Sequence, residues 1–307
     1  MTTTFQGAWP ALVTPTTADG DVSLPALHDL VEYLLGKKAD GLYLCGSTGE
    51  GTLQSTDERV AVTQAVMEQV GDQVPIIVHV GSMNTHPAVA LAKHAQSVGA
   101  AGVSSVLPLV KGDIAMTYRH YEAIAAAVPT VPFFPYLFGG QVDAVTLMHE
   151  LQQRIPNLAG AKYTGPNMYE MGHVIELGDT AQDDTAQESM GWTIFSGMDE
   201  QCLFGAMAGA PGNIGTTLNV MQGIYGKLRT CYAQGDVVQA LDLQKRANRV
   251  TTVLISHGIQ GALREALRLL GLDCGDPRPP HMALAPEQRE RLKADLEEVG
   301  FFEIAAM

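Results

Sequence analysis

The chain has 307 residues, 46% hydrophobic and 17% charged, a globular composition with enough length for one barrel-sized core or two smaller domains. A formal net charge of −14 argues against a nucleic-acid binder, because phosphate recognition needs a basic surface. No apolar run reaches the roughly 20 residues of a membrane span, and residues 1–7 have neither the basic region nor the apolar core of an export signal.

Short apolar runs alternate with longer amphipathic stretches. Candidate strands fall at 9–14, 41–45, 75–80, 102–107, 131–136, 158–163, 193–196 and 212–215. Between them apolar residues recur at helical spacing. Leu24, Leu27, Leu30, Val31 and Leu34 form one stripe behind a Ser23 N-cap; Val60, Val62, Ala65, Val66 and Val70 form a second; Ala90, Leu91, Ala95 and Val98 form a third. Strand–helix alternation predicts a parallel sheet. Eight such units suit a (β/α)8 barrel over residues 1–218 better than an open doubly wound sheet. No GxGxxG follows the first strand, which weakens a dinucleotide-binding reading. Residues 219–307 read as helices only, at 220–234, 236–256, 259–270 and 286–299: a C-terminal helical extension packed on the barrel, not a separate functional module. The polar, acidic stretch 178–188 reads as a solvated surface loop. Four dispersed cysteines, Cys45, Cys202, Cys231 and Cys274, form no CxxC pair; this suits a reduced, cytoplasmic protein without a disulfide framework or zinc site.

Active sites of such barrels lie at the C-terminal ends of the strands. The sixth strand carries Lys162 there, just before the turn Gly165-Pro166-Asn167. The other seven lysines fall on helix surfaces or polar loops. Desolvation at a buried strand end favours the free amine, the form a Schiff-base nucleophile needs, although a lysine there can also snorkel to solvent. The second strand ends in Gly46-Ser47-Thr48-Gly49-Glu50, where hydroxyl and backbone donors between glycines can hold a carboxylate or phosphate. The fifth ends in Tyr136, a phenol at the mouth. The seventh and eighth end in Ser196-Gly197-Met198-Asp199-Glu200 and Asn213-Ile214-Gly215-Thr216-Thr217, polar groups suited to substrate hydroxyls or, for the acidic pair, to the first turn of a helix. An amine, a phenol and an anion cradle at one mouth suit imine chemistry on a 2-oxo acid, without metal or organic cofactor.

The motif Gly46-Ser47-Thr48-Gly49-Glu50, Tyr136 and Gly160-Ala161-Lys162 resembles the Schiff-base pyruvate aldolase family of dihydrodipicolinate synthase and N-acetylneuraminate lyase, over nearly the whole chain. The resemblance implies a lysine imine at Lys162 and a proton shuttle at Tyr136 assisted by Ser47. It also implies carboxylate binding by Ser47, Thr48 and Gly49. Gly197, Asp199 and Glu200 resemble a Gly-X-Asp-Glu segment that binds sugar hydroxyls in the sialic acid lyases of that family. Gly215 and Thr216 match a second segment of those lyases, and Thr164 their threonine two residues after the lysine. The arginine that synthases carry shortly after the tyrosine is missing from Tyr136-Leu137-Phe138-Gly139-Gly140. The tyrosine that reaches a neighbouring subunit is also missing, Tyr118 being the first after the fourth strand. The expectation is a lyase for a 2-oxo-3-deoxy sugar acid, N-acetylneuraminate first, giving pyruvate and an aldehyde, in a cytoplasmic homotetramer without nucleic-acid or membrane partners. The alternatives are a 2-keto-3-deoxygluconate-type aldolase or dehydratase, the synthase, a phosphate-binding barrel enzyme and a non-catalytic 2-oxo-acid-binding barrel.

Overall fold

The computed structural model describes residues 5–108, 113–138, 140, 142–180 and 191–307. Eight parallel strands run β1 (Gly7–Pro10), β2 (Leu42–Leu44), β3 (Ile76–His79), β4 (Gly102–Val106), β5 (Phe133–Phe138), β6 (Gly160–Thr164), β7 (Thr193–Ser196) and β8 (Gly212–Gly215). The strand order β1-β8-β7-β6-β5-β4-β3-β2 leaves one seam. A bridge between Ala11 and Tyr43, with Leu12 N–H donating to the Tyr43 carbonyl at 2.9 Å, spans that seam. The fold is a (β/α)8 barrel with a C-terminal helical extension.

The strands are linked by α1 (Leu24–Gly36), α2 (Thr56–Val70), α3 (Thr85–Ser97), α4 (Ile114–Ala126), α5 (Ala144–Arg154), α6 (Met168–Thr180) and α7 (Cys202–Met207). After β8 come α8 (Leu218–Ala233), α9 (Val237–Ser256), α10 (Ile259–Leu269), α11 (Pro286–Glu298) and α12 (Phe301–Ala306). In α1 the Ser23 hydroxyl accepts the Ala26 N–H at 3.4 Å, and Leu27, Leu30, Val31 and Leu34 are buried as their spacing predicts. Leu24, the first residue of the helix and read as part of that stripe, is instead exposed. The last helix escaped the sequence reading. Gly300, with φ of 75°, ends α11, and the chain then buries Phe301 and Ile304 through α12.

Alternation along the strands divides the side chains between the barrel interior and the helical layer. Trp9, Tyr43, Ile77, Phe134, Phe195 and Ile214 form the interior cluster, with Phe5 set edge-on to Phe134 at 5.0 Å. That aromatic packing closes the N-terminal half, so open, polar space is left at the C-terminal half. Two strands have C-terminal ends displaced by two residues or more from their expected places. β5 runs on to Phe138, two residues past its expected end at Tyr136, and β1 ends at Pro10, four before its expected end at Thr14. The acidic stretch 178–188 lies mostly in residues 181–190, outside the described residues, as do residues 109–112 after β4.

Candidate active site

Register places the central pair. Tyr136 on β5 lies directly across from Lys162 on β6, both facing the barrel interior. Lys162 is 5% exposed, and its Nζ lies 4.1 Å from the centre of the Tyr136 ring and 4.9 Å from that of Tyr43. The Tyr43 hydroxyl donates to Ser104 Oγ at 2.9 Å, and burial raises its pKa, so it remains a neutral phenol beneath the amine.

Below Tyr136 stands His79, fully enclosed. Its Nε2 accepts the Val106 N–H at 3.0 Å, which leaves the ring proton on Nδ1, 3.0 Å from the Cys45 carbonyl. Burial, with Arg59 and Lys162 nearby, holds its pKa well below the usual histidine value. A neutral imidazole therefore supports the site. Arg59 ties the same strand end down, donating to the His79 carbonyl at 2.5 Å and to that of Gly81 at 2.9 Å.

The second-strand loop brings Thr48 inward, where its Oγ1 meets Thr216 Oγ1 at 2.7 Å. Ser47 is exposed, with its carbonyl 3.3 Å from the Gln260 amide that donates to it. Glu50, the last residue of that motif, faces away from the mouth and pairs with Arg264 at 2.6 Å.

Across the mouth, Asp199 is 5% exposed. Its Oδ2 accepts from the Thr217 N–H and hydroxyl at 2.7 and 2.8 Å, whereas its Oδ1 has no protein partner. Burial pushes its pKa up to about 6, against the lowering effect of the Thr217 hydrogen bonds; the nearby Glu200 adds to the rise and Lys162 reduces it. Thr164 Oγ1 is likewise buried and unpaired. Two glycines sit against these two oxygens. A Cβ at Gly215 would overlap Asp199 Oδ1, and a Cβ at Gly197 would overlap Thr164 Oγ1. Glycine at both positions is thus what leaves the oxygens their room.

A cleft of about 370 Å³ opens beside them. Thr164, Asp199, Glu200, Thr216, Thr217 and Thr251 form its polar wall, and Phe138, Pro166, Met198, Ile255 and Ile259 its apolar one. The structure brings Lys162 to Tyr136 and Thr48 to Thr216, and Thr164, Gly197, Asp199, Glu200 and Thr216 line this cleft, with Gly215 packed against Asp199. Gly49 instead packs in the loop, where its carbonyl accepts from Gln54 Nε2 at 2.6 Å. The sequence reading missed Tyr43 and His79, whose only signal is that they face inward on apolar strands. It also missed Thr251, Ile255 and Ile259. The extension is therefore more than packing: it supplies a wall of the cleft. Among the described residues no group of three or more His, Cys, Asp or Glu side chains is placed to hold a metal ion. Nor is any described helix long and apolar enough to cross a membrane.

Residues 4–299 match the model of the dihydrodipicolinate synthetase family. The chain belongs to that family. It is 32% identical over 282 residues to the N-acetylneuraminate lyase of Rhizobium meliloti (strain 1021), covering 90% of this chain and 89% of that one. It is 30% identical over 299 residues to the 4-hydroxy-tetrahydrodipicolinate synthase of Syntrophus aciditrophicus (strain SB), covering 96% and 99%. Among solved structures, the N-acetylneuraminate lyase of Proteus mirabilis superposes with a TM-score of 0.88 at 27% identity, over 97% of this chain and 99% of that one. The family member described here is an enzyme of the lyase class, of aldolase type.

Proposed function

We propose that this enzyme cleaves a 2-oxo-3-deoxy sugar acid, N-acetylneuraminate first among candidates, to pyruvate and an aldehyde. The observation that carries the reading is a buried amine, Lys162, near enough to Asp199 to act on it electrostatically, together with two buried, unpaired oxygens, Asp199 Oδ1 and Thr164 Oγ1, on residues that line one cleft. The oxygens are placed to accept hydroxyl protons of a sugar chain while the amine takes the ketone. No Lys, Arg or His stands among the described lining residues of the cleft. That disfavours an aldehyde half bearing a carboxylate or phosphate, as the synthase reading and a phosphate-binding barrel would require.

In the proposed mechanism Lys162 Nζ attacks the substrate ketone and water leaves, giving an iminium whose carboxylate is held by the Ser47–Thr48 loop. Tyr136, with Ser47 near the mouth, takes the proton of the 4-hydroxyl. The bond between carbons 3 and 4 breaks, its electron pair enters the iminium as an enamine, and the aldehyde departs. Protonation of the enamine and hydrolysis of the imine release pyruvate and restore the amine. Asp199, Glu200 and Thr164, with Gly197, Gly215 and Thr216 shaping the wall, bind the sugar half. Four free cysteines support a reduced, cytoplasmic setting, and the family resemblance supports a homotetramer, which mass photometry would test.

The deciding experiment is intact mass after incubation with pyruvate and borohydride, comparing wild type with Lys162→Ala. A reduced pyruvate adduct on wild type alone is expected, and its absence from wild type would overturn the reading. Pyruvate release from a panel of sugar acids then separates N-acetylneuraminate from a 2-keto-3-deoxygluconate-type substrate. Binding without turnover across that panel would favour a non-catalytic barrel.

A further inference from the structure

The loop that carries Ser47 and Thr48 is anchored from outside the barrel. Glu50, at its end, adopts φ of 55° with its side chain fully enclosed. Its carboxylate accepts from Arg264 Nη2 at 2.6 Å and from the Arg278 backbone N–H at 3.1 and 3.2 Å. Arg264 is itself 2% exposed and donates to two carbonyls as well, Nη1 to Cys274 at 2.5 Å and Nη2 to Thr14 at 3.0 Å. One turn earlier on the same face of α10, Gln260 donates to the Ser47 carbonyl. Helix α10 therefore grips the stretch at both ends, and Thr48 between them reaches Thr216. Ile259, at the start of that helix, lines the cleft.

A buried ion pair adds little net stability over apolar packing of the same volume, but its forked, directional donors fix geometry. What Arg264 holds is the Glu50 end of the loop that carries Ser47 and Thr48. We propose that Arg264 is a positioning residue: through Glu50, the C-terminal extension sets the grip on the carboxylate of the 2-oxo acid. This rests on the Schiff-base reading above.

The test compares two carbonyl probes trapped by borohydride on the full-length enzyme: pyruvate, and hydroxyacetone, which lacks a carboxylate. In Arg264→Lys the charge stays but the fork is lost, and half-saturating pyruvate rises about tenfold while that for hydroxyacetone stays within about twofold. The maximal trapped fraction at saturation is unchanged. Gln260→Ala, at the more accessible end of the contact, moves the same ratio in the same direction by about threefold and carries the test alone if Arg264→Lys does not fold. General damage would weaken both probes together; that result, or an unchanged ratio in a folded variant, overturns the proposal. A wild type that traps neither probe overturns the Schiff-base reading and this inference with it. A wild type that traps both, with variants of unchanged ratio, removes only the role of Arg264.

Discussion

The two halves of the site are built differently. The amine half stands on strands: Lys162, Tyr136, Tyr43 and His79 pack ring against ring or ring against amine, and His79 has both ring nitrogens partnered. The cleft half stands on loop and helix starts, Asp199, Thr216 and Thr217, with Thr251, Ile255 and Ile259 from the extension, and it holds two buried oxygens without partners. A half held on paired strands keeps one geometry for every substrate. A half with unpaired acceptors has binding energy in reserve for whichever ligand can satisfy them. In the proposed reading chemistry and selectivity fall on structurally distinct surfaces, and substitutions can separate them.

The largest expected effect falls on the amine half. Lys162→Ala abolishes both the borohydride-trapped adduct and pyruvate release; turnover in that variant would break the division at its root. Tyr136→Phe, which keeps the ring over the amine but removes the hydroxyl, lowers kcat for cleavage by about 10²–10⁴-fold. Imine trapping with pyruvate persists in that variant.

Effects on the cleft half are smaller and selective. Asp199→Asn lowers kcat/KM for the sugar acid by about 10–100-fold, the loss expected for a hydrogen bond to a charged acceptor, and spares imine formation with pyruvate. Equal losses in both assays would show that the halves are not separable. The same carboxyl sets an acid limb: with its pKa raised to about 6, Asp199 takes up a proton below that pH. In wild type kcat/KM for the sugar acid therefore falls as pH drops below about 6, and in Asp199→Asn that limb is lost.

The smallest effect is on stability. The folded state binds a proton at Asp199 more readily than the unfolded chain does, so ionisation costs stability as pH rises from 3.8 to about 6. The full cost above that range is of the order of 3 kcal/mol. Asp199→Asn should be the more stable protein at pH 7–8, by urea unfolding, with a margin that shrinks on acidification. His79 has the opposite sign: its folded pKa lies below the unfolded value of 6.5, so the unfolded chain binds more protons below 6.5 and stability falls with pH there. Comparing the variant with wild type at each pH cancels the His79 contribution and isolates that of Asp199.

Lys162 and Tyr136 were legible in the sequence because each is a reactive group in an apolar run beside a turn, and a parallel barrel sends both strand ends to one mouth. Asp199 and Glu200 were legible as residues, but their division of labour was not. Which oxygen stays free depends on Thr217 reaching back to Asp199, a contact of the folded loop. The role of Glu50 was not legible: it closes the Gly46–Glu50 motif, and its carboxylate accepts from an arginine 214 positions later. The cleft wall from Thr251, Ile255 and Ile259 left no trace either, since helical spacing marks which face is buried and not what shares the exposed edge with a ligand.

Tyr43 performs two tasks on one residue. Its backbone takes the Leu12 N–H that spans the β1–β2 seam, and its ring faces Lys162 Nζ. Closure of the β1–β2 seam and the surroundings of the Lys162 amine therefore share one residue. A refolding chain with that seam open keeps all eight strands paired in one open sheet and shows nearly full secondary structure by circular dichroism. Time-resolved borohydride trapping of the imine formed by pyruvate with Lys162 would test whether the amine becomes reactive only when the ring closes.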